Sequence, residues 1–381
     1  MSLILDEEQQ LLQTSARGFF SARAPISQLR ALRDENVTDC FDRATWSQMV
    51  ELGWAGIPWP ERFGGLAFGF KGLGVITEQS GRCLTASPLI SSIWLCGAAI
   101  LLAGSETQKL HYLPSIANGR HLLAMAFEER LRHAPGEIDL LARRTSHGFV
   151  LSGGKRFVLD GISADTIIVA ARICNSACDT GGISLFLVPR DTPGVTAVST
   201  RILDSRNVAS IDFIDVQVPD SALLGAVGQG PELLDAALDI ARIGLAAEML
   251  GSAQECFERT VQHLKDRRQF GVALGSFQSL KHRAAQMFCQ LELSRSVVLE
   301  ALTALDEDRG RPEIAKLASL AKARLGATFH RVTREAVQMH GGIAMTDEFD
   351  IGLFIKRAAV ADQTFGDVDY HVRRYAELEG Y

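Results

Sequence analysis

Disulfide rhythm, long apolar runs and an excess of basic charge are all missing from this sequence. Its seven cysteines, an odd number, are scattered through 381 residues without regular spacing, which implies reduced thiols and a cytoplasmic setting. Against 39 Lys and Arg stand 45 Asp and Glu, a formal charge of −6. That balance excludes the broad basic face that nonspecific nucleic-acid binding needs to displace counterions. A local basic site for a phosphate-bearing small molecule is still compatible with it. A membrane-crossing helix needs about 20 apolar residues, and the longest candidate, 88–104, is shorter and rich in Ser, Gly and Ala. It is expected to be a buried helix, with no membrane partner. The first residues, Met-Ser-Leu-Ile-Leu-Asp-Glu-Glu, are acidic where a signal peptide is basic.

Several catalytic motifs are also absent. No Gly-Lys-Ser/Thr closes the glycine-rich stretch from Gly148 to Lys155, because Gly154 stands where the lysine is needed. No Gly-x-Gly-x-x-Gly joins a strand to a helix, and no Gly-x-Ser-x-Gly accompanies His340-Gly341-Gly342. There is no His-Glu-x-x-His, and Cys174 with Cys178 forms one isolated pair, so the thiols read as incidental and no metal is expected.

What is present is a length suited to two or three domains at roughly 100–200 residues each. The chain is 47% hydrophobic and 22% charged, enough for a large core without staples. From Asp6 to about Leu123 helical spacing dominates, with Leu11, Leu12, Ser15 and Phe19 on one face and Asp6 suited to a helix start. The Pro/Gly-rich run Ile57 to Gly65 must be a loop. Between about Leu122 and Gly225, short β-branched runs alternate with turn residues, which predicts a small antiparallel barrel or sandwich. Long helical periods then return over 231–264, 277–306 and 313–340, as in an antiparallel bundle. The expected fold is mainly α with a central β domain: helical 1–122, β 123–226, helical bundle 227–381.

Two segments carry chemistry. Asp266-Arg267-Arg268-Gln269-Phe270-Gly271, followed by Phe277-Gln278, sets paired arginines beside a helix-ending glycine. Such arginines can grip a pyrophosphate, or only complement a helix C-terminus. Gln338-Met339-His340-Gly341-Gly342 offers bare backbone to a ligand, or only a helix cap.

Taken with Pro60-Glu61-x-Phe63-Gly64-Gly65, Ala103-Gly104-Ser105-Glu106-x-Gln108-Lys109, Leu151-Ser152-Gly153-Gly154-Lys155 and the run Ala164 to Arg172, these segments make the chain resemble the acyl-CoA dehydrogenase family over nearly its whole length. The resemblance implies FAD chemistry on an acyl-CoA thioester, in which a carboxylate removes the α-proton while the β-hydride goes to flavin. It implies a homo- or hetero-tetramer, with an electron-transferring flavoprotein or similar acceptor as partner. By the same analogy Arg267, Gln269, Phe270, Gln278, Gln338, Gly341 and Gly342 hold the FAD of a neighbouring subunit. Asp239 and Arg242 stand at CoA-contacting positions.

The sequence departs from that family in two places. Both usual positions of the base are empty, occupied by Phe365, just before Gly366, and by Ala241, just before Arg242. Neither side chain can accept a proton. Asp367 and Glu248 are the nearby acids, each displaced from the usual geometry. In the β domain, the loop that usually contacts the flavin is Ala126-Phe127-Glu128-Glu129-Arg130-Leu131-Arg132, and Phe157-Val158-Leu159 replaces the usual Trp-x-Thr/Ser. Phe127 and Phe157 thus stand where hydroxyls would bond the ring. Three readings follow: a flavin dehydrogenase with an unorthodox base; a non-catalytic or half-site subunit of a mixed assembly, as in steroid side-chain breakdown; or a flavin-free acyl-CoA binding protein.

Overall fold

A computed structural model describes residues 4–39, 41–176 and 179–381; Cys178 therefore lies outside the described residues. The elements run α1 (Glu7–Arg23), α2 (Ile26–Asp34), α3 (Arg43–Glu51), α4 (Gly69–Arg82), α5 (Ala98–Ala103), α6 (Glu106–Ala117). Strands follow: β1 (Leu123–Ala126), β2 (Leu141–Thr145), β3 (Gly148–Leu159), β4 (Thr166–Ser176), β5 (Asp179–Pro189), β6 (Val195–Arg201), β7 (Asn207–Val218) and β8 (Leu223–Leu224). Then come α7 (Gly230–Asp266), the short strands β9 (Arg268–Gln269) and β10 (Val272–Ala273), α8 (Gln278–Asp306), α9 (Arg311–His340), α10 (Ile351–Gln363) and α11 (Val368–Glu379). The order helical, β, helical is the one expected. Two compact units result, Met1–Ala31 with Phe70–Thr85 and Arg242–Tyr381, and Leu32–Gly69 with Ala86–Ala241.

The second unit holds the sheet, in the order β6-β7-β3-β2-β4-β5-β8, with β1 also on β4. It is not purely antiparallel: β1 pairs Leu123–Ala126 with Thr166–Val169, and β2 pairs Leu141–Arg143 with Arg172–Cys174, both parallel to β4. These two strands take successive stretches of one edge of β4, so the chain from Phe127 to Leu140 must loop between them. Alternation along the strands buries Leu151, Ile167, Val169, Phe186, Ile211 and Phe213 in one core. The Pro/Gly run follows one short 3₁₀ turn, Trp54–Gly56, and contains a second, Glu61–Phe63. The apolar stretch after Pro88 is buried as expected, but Leu89–Gly97 is wound as a π-helix before α5 begins. No described helix is long and apolar enough to cross a membrane.

The first unit is helical. Asp6 caps α1 through a capping box with Gln9. The buried stripe of α1 is Ala16 and Phe20, and Leu11 is 72% exposed; the face expected from Leu11, Leu12, Ser15 and Phe19 is off by one residue. Ala16, wholly buried, is too small to mark the buried face in an apolar pattern. Helices α4 and α7 cross with their main chains in contact. A methyl group added to Gly81 would lie 2.1 Å from the carbonyl oxygen of Glu248, and one on Gly251 would lie 1.8 Å from that of Glu78. Ser252 Oγ donates to the Gly81 carbonyl at 2.8 Å across the same crossing.

Candidate functional site

The arginine segment begins where α7 stops. The Arg267 N–H still donates to the His263 carbonyl at 2.9 Å, and Leu274 N–H donates to the Arg267 carbonyl at 2.8 Å. Between them β9 and β10 form a hairpin with Gln269 opposite Val272. Its two turn residues, Phe270 (φ +53°) and Gly271 (φ +80°), are both left-handed, the geometry of a tight hairpin turn. That turn drives Phe270 outward, 88% exposed, with its ring edge-on to Phe277 at 6.2 Å. Arg267, Arg268, Gln269 and Gln278 are exposed and have no side-chain partner among the described residues.

The glycine segment lies at the end of α9. Gln338 is exposed, Gly341 caps the helix at φ +72°, and neither Gly341 nor Gly342 has any atom within 4 Å of where a Cβ would be. The segments meet through a contact that sequence reasoning missed: the His263 ring stacks on that of His340, centroids 4.2 Å apart. Exposed guanidinium groups, an exposed ring and open glycine backbone thus lie at two helix ends joined by that stack.

The second cluster surrounds Phe365. Its backbone is left-handed (φ +61°), Gly366 follows at φ +105°, and the phenyl ring is buried, 5% exposed. The Phe365 carbonyl accepts from Arg242 Nε at 3.2 Å and from His371 Nε2 at 3.0 Å. A carbonyl can only accept, so Nε2 carries the His371 proton. Arg242 is wholly buried, with its Nη2 3.5 Å from the Tyr370 hydroxyl and its guanidinium 5.7 Å from that ring centre. Its observed work in this chain is to hold the Phe365–Gly366 turn. Asp239 and Ala241 are fully buried as well.

The two nearby acids are both engaged. Glu248 is buried and accepts from Arg357 Nε at 2.9 Å. Asp367 caps α11, accepting from Tyr370 N–H at 2.8 Å. Beneath the turn, buried Lys322 donates to the carbonyls of Ala361 (2.6 Å) and Asp362 (3.2 Å), at the end of α10. Burial pushes its ammonium down to about 7, against the pull of Asp362. No signal in the sequence singled out Lys322 or His371.

In the other unit, the departing loop is filled from within. Buried Lys155 pairs with Glu129 at 2.6 Å and points its Nζ at the Phe127 carbonyl, 3.4 Å away. Glu129 also accepts from the N–H groups of Asp139 and Leu140, at 2.7 and 3.0 Å. Glu128 is bonded to His133 and to Ala134 N–H. Burial lowers Lys155 to about 8 although Glu129 opposes it. Phe127 is buried among these groups, edge-on to His133 at 6.2 Å. A shift of register between Lys155 and Val158 lets Phe157 adopt φ +53° and stand 44% exposed. Phe127 and Phe157 offer apolar surface and no side-chain donor.

The fold defines a class of protein, mainly α-helical with a central β sheet and long C-terminal helices. Comparison with known proteins gives its family. The N-terminal, middle and C-terminal domain models of acyl-CoA dehydrogenase match residues 6–120, 133–218 and 228–378. An acyl-CoA dehydrogenase of Bacillus subtilis is 30% identical over 362 residues, 93% of each chain. Butyryl-CoA dehydrogenase from Megasphaera elsdenii superposes with a TM-score of 0.90 at 25% identity, over 99% of both chains. The steroid ACAD Tcur3481-Tcur3483 superposes with a TM-score of 0.87 at 28% identity, over 98% of both. The chain belongs to the acyl-CoA dehydrogenase family, whose members depend on FAD.

Proposed function

We propose that this chain is a FAD-dependent acyl-CoA dehydrogenase subunit that takes part in α,β-dehydrogenation of an acyl-CoA thioester. Electrons then pass to an electron-transferring flavoprotein or similar acceptor. The observation that supports the reading is the stack of His263 on His340, which joins the helix ends next to the exposed Arg267, Gln269 and Phe270 and the open Gly341 and Gly342. When bound, the flavin would supply the hydride acceptor. Arg267 would hold its pyrophosphate, the glycine backbone would admit it closely, and Phe270 would cover its adenosine end from a neighbouring subunit. Arg242 and His371 would fix the turn that faces the substrate's α-carbon. Cys83, Cys96, Cys256 and Cys289 are free thiols, which supports a reducing, cytoplasmic location. The test is the FAD content and visible spectrum of the purified protein, with bleaching on addition of acyl-CoA esters. A colourless protein that acquires no flavin on reconstitution would overturn the reading.

A second reading is favoured by one specific observation. Phe365 and Ala241 leave both base positions without an acid–base group, and Glu248 and Asp367 are already engaged. The chain would then be the half of a mixed tetramer that lends its surface to a partner subunit bearing the glutamate. Turnover by the lone chain supports the first reading; turnover only with a second, glutamate-bearing chain supports this one.

A further inference from the structure

The arginine segment and the glycine segment are distant in sequence, and the stack of His263 on His340 holds their helix ends together. The rings lie 4.2 Å apart between centroids and 30° from parallel. Phe349 also packs on His340, at 5.1 Å. His340 Nδ1 is 2.8 Å from the Ala336 carbonyl, so Nδ1 carries the proton and Nε2 is a bare lone pair. That Nε2 is buried and meets no donor. His263, by contrast, is half-buried, in the last turn of α7 and one turn before Arg267.

We propose that His263, stacked on His340, positions the arginine segment against the glycine segment and takes up a proton when the pyrophosphate of FAD settles on Arg267. The inference rests on the lending role proposed above. The charged groups facing His263 are Arg267 and Asp266, both from its own helix end. Burial and the Arg267 cation hold the imidazole below its ordinary value, with Asp266 pulling the other way. From α9 the facing group is the His340 ring, itself held by the Ala336 carbonyl and packed on the uncharged Phe349 ring. Asp350, beside Phe349, is closed on Arg30 at 3.0 Å and on Arg259 at 2.8 Å.

The proton belongs on His263. Placed on His340 it would create a buried N–H at Nε2 with no acceptor, whereas His263 reaches water and its cation would lie over the face of a neutral ring. A pyrophosphate on Arg267 cancels the Arg267 share of what holds His263 low, burial being the larger share, and adds attraction of its own. Since the bound state then holds more protons than the free one, affinity for FAD rises as pH falls across the ordinary histidine range.

The experiment measures FAD dissociation constants of the assembled protein by flavin fluorescence between about pH 8 and about pH 6. Wild type should tighten by roughly tenfold for each unit by which the imidazole is raised. His263→Phe, which keeps the ring contact and cannot titrate, should match wild type at the alkaline end and show no slope; His263→Tyr is a second such variant should the first not fold. His263→Ala should bind weakly at every pH. A flat wild-type profile, or an equal slope in the phenylalanine variant, overturns the proton linkage. Unimpaired binding by His263→Ala overturns the positioning role. If wild type binds no FAD at any pH, the lending role itself fails, an outcome distinct from the others.

Discussion

Replacing Phe365 by glutamate tests whether the turn has lost only its acid–base group. The backbone that carries the residue is held by Arg242 Nε and His371 Nε2, both donating to the Phe365 carbonyl. Neither bond involves the side chain, so Phe365→Glu should leave the turn in place. The change removes a buried phenyl ring, at a cost of about 1.5–3 kcal/mol in lost transfer free energy. It also brings a carboxylate into a region where Arg242, Lys322 and Arg357 are all buried, which offsets part of its desolvation. Net destabilisation of roughly 2–4 kcal/mol follows, within the range most domains of this size survive. The gain is that of a general base, about 10²–10⁴-fold, or roughly 2.7–5.5 kcal/mol off the barrier. The assay follows α-proton exchange of a saturated acyl-CoA in D₂O, together with flavin bleaching in the presence of an electron acceptor. Wild type should be slow and the variant faster by at least two orders of magnitude. A folded variant that retains FAD yet exchanges no faster than wild type would refute the idea that the turn kept a base's geometry.

Arg267→Ala should leave the fold intact and weaken flavin retention about tenfold to a hundredfold, since one charge-assisted contact is worth roughly 1.5–3 kcal/mol; unchanged FAD occupancy excludes the clamp. Lys322 is lowered to about 7 from 10.5, so between those values the unfolded chain binds more protons and stability rises with pH. Urea melts of wild type against Lys322→Met should therefore differ increasingly in favour of wild type from about pH 7 upward; a constant difference would show the amine is not depressed. Gly251→Ala should destabilise by about 3 kcal/mol or more, because its methyl group would overlap the Glu78 carbonyl. Gly18→Ala, on α1 with nothing within 4 Å of the added carbon, should stabilise by about 0.5–1 kcal/mol; thermal melts of both decide the matter.

Much of this was legible in the sequence because it rests on local rules. Asp6 announced α1, the long periods announced α7, α8 and α9, and the arginine–glutamine–phenylalanine–glycine run announced the end of α7, though not the hairpin that follows it. What stayed hidden depends on chain segments meeting from afar. The parallel pairing of β1 and β2 with β4 cannot be read from alternation, which is the same for either direction. The stack of His263 on His340 joins residues of two helices, and nothing in either segment predicts the other. Arg242 was marked only by resemblance, as a CoA contact, and its complete burial against the Phe365 carbonyl depends on a turn 123 residues further along the chain. Lys155 and Lys322 hide for the same reason: a lysine's ordinary place is in water, and only the packed fold reveals the carboxylate or carbonyls that bring it inside.

The crossing of α4 over α7 has a mechanical consequence. Most helix pairs touch through side chains that can rotate and take up small displacements, but at Gly81 and Gly251 there is nothing between one main chain and the other. Such a joint has no tolerance, and it serves as a datum from which the rest of the helical unit is measured. The Glu248 carbonyl lies at that joint while its carboxylate fixes Arg357 on α10. The last turn of α10 is in turn fixed by Lys322 and leads directly into Phe365. A rigid contact between two peptide backbones thus sets, through one ion pair and one helix, where Phe365 must stand.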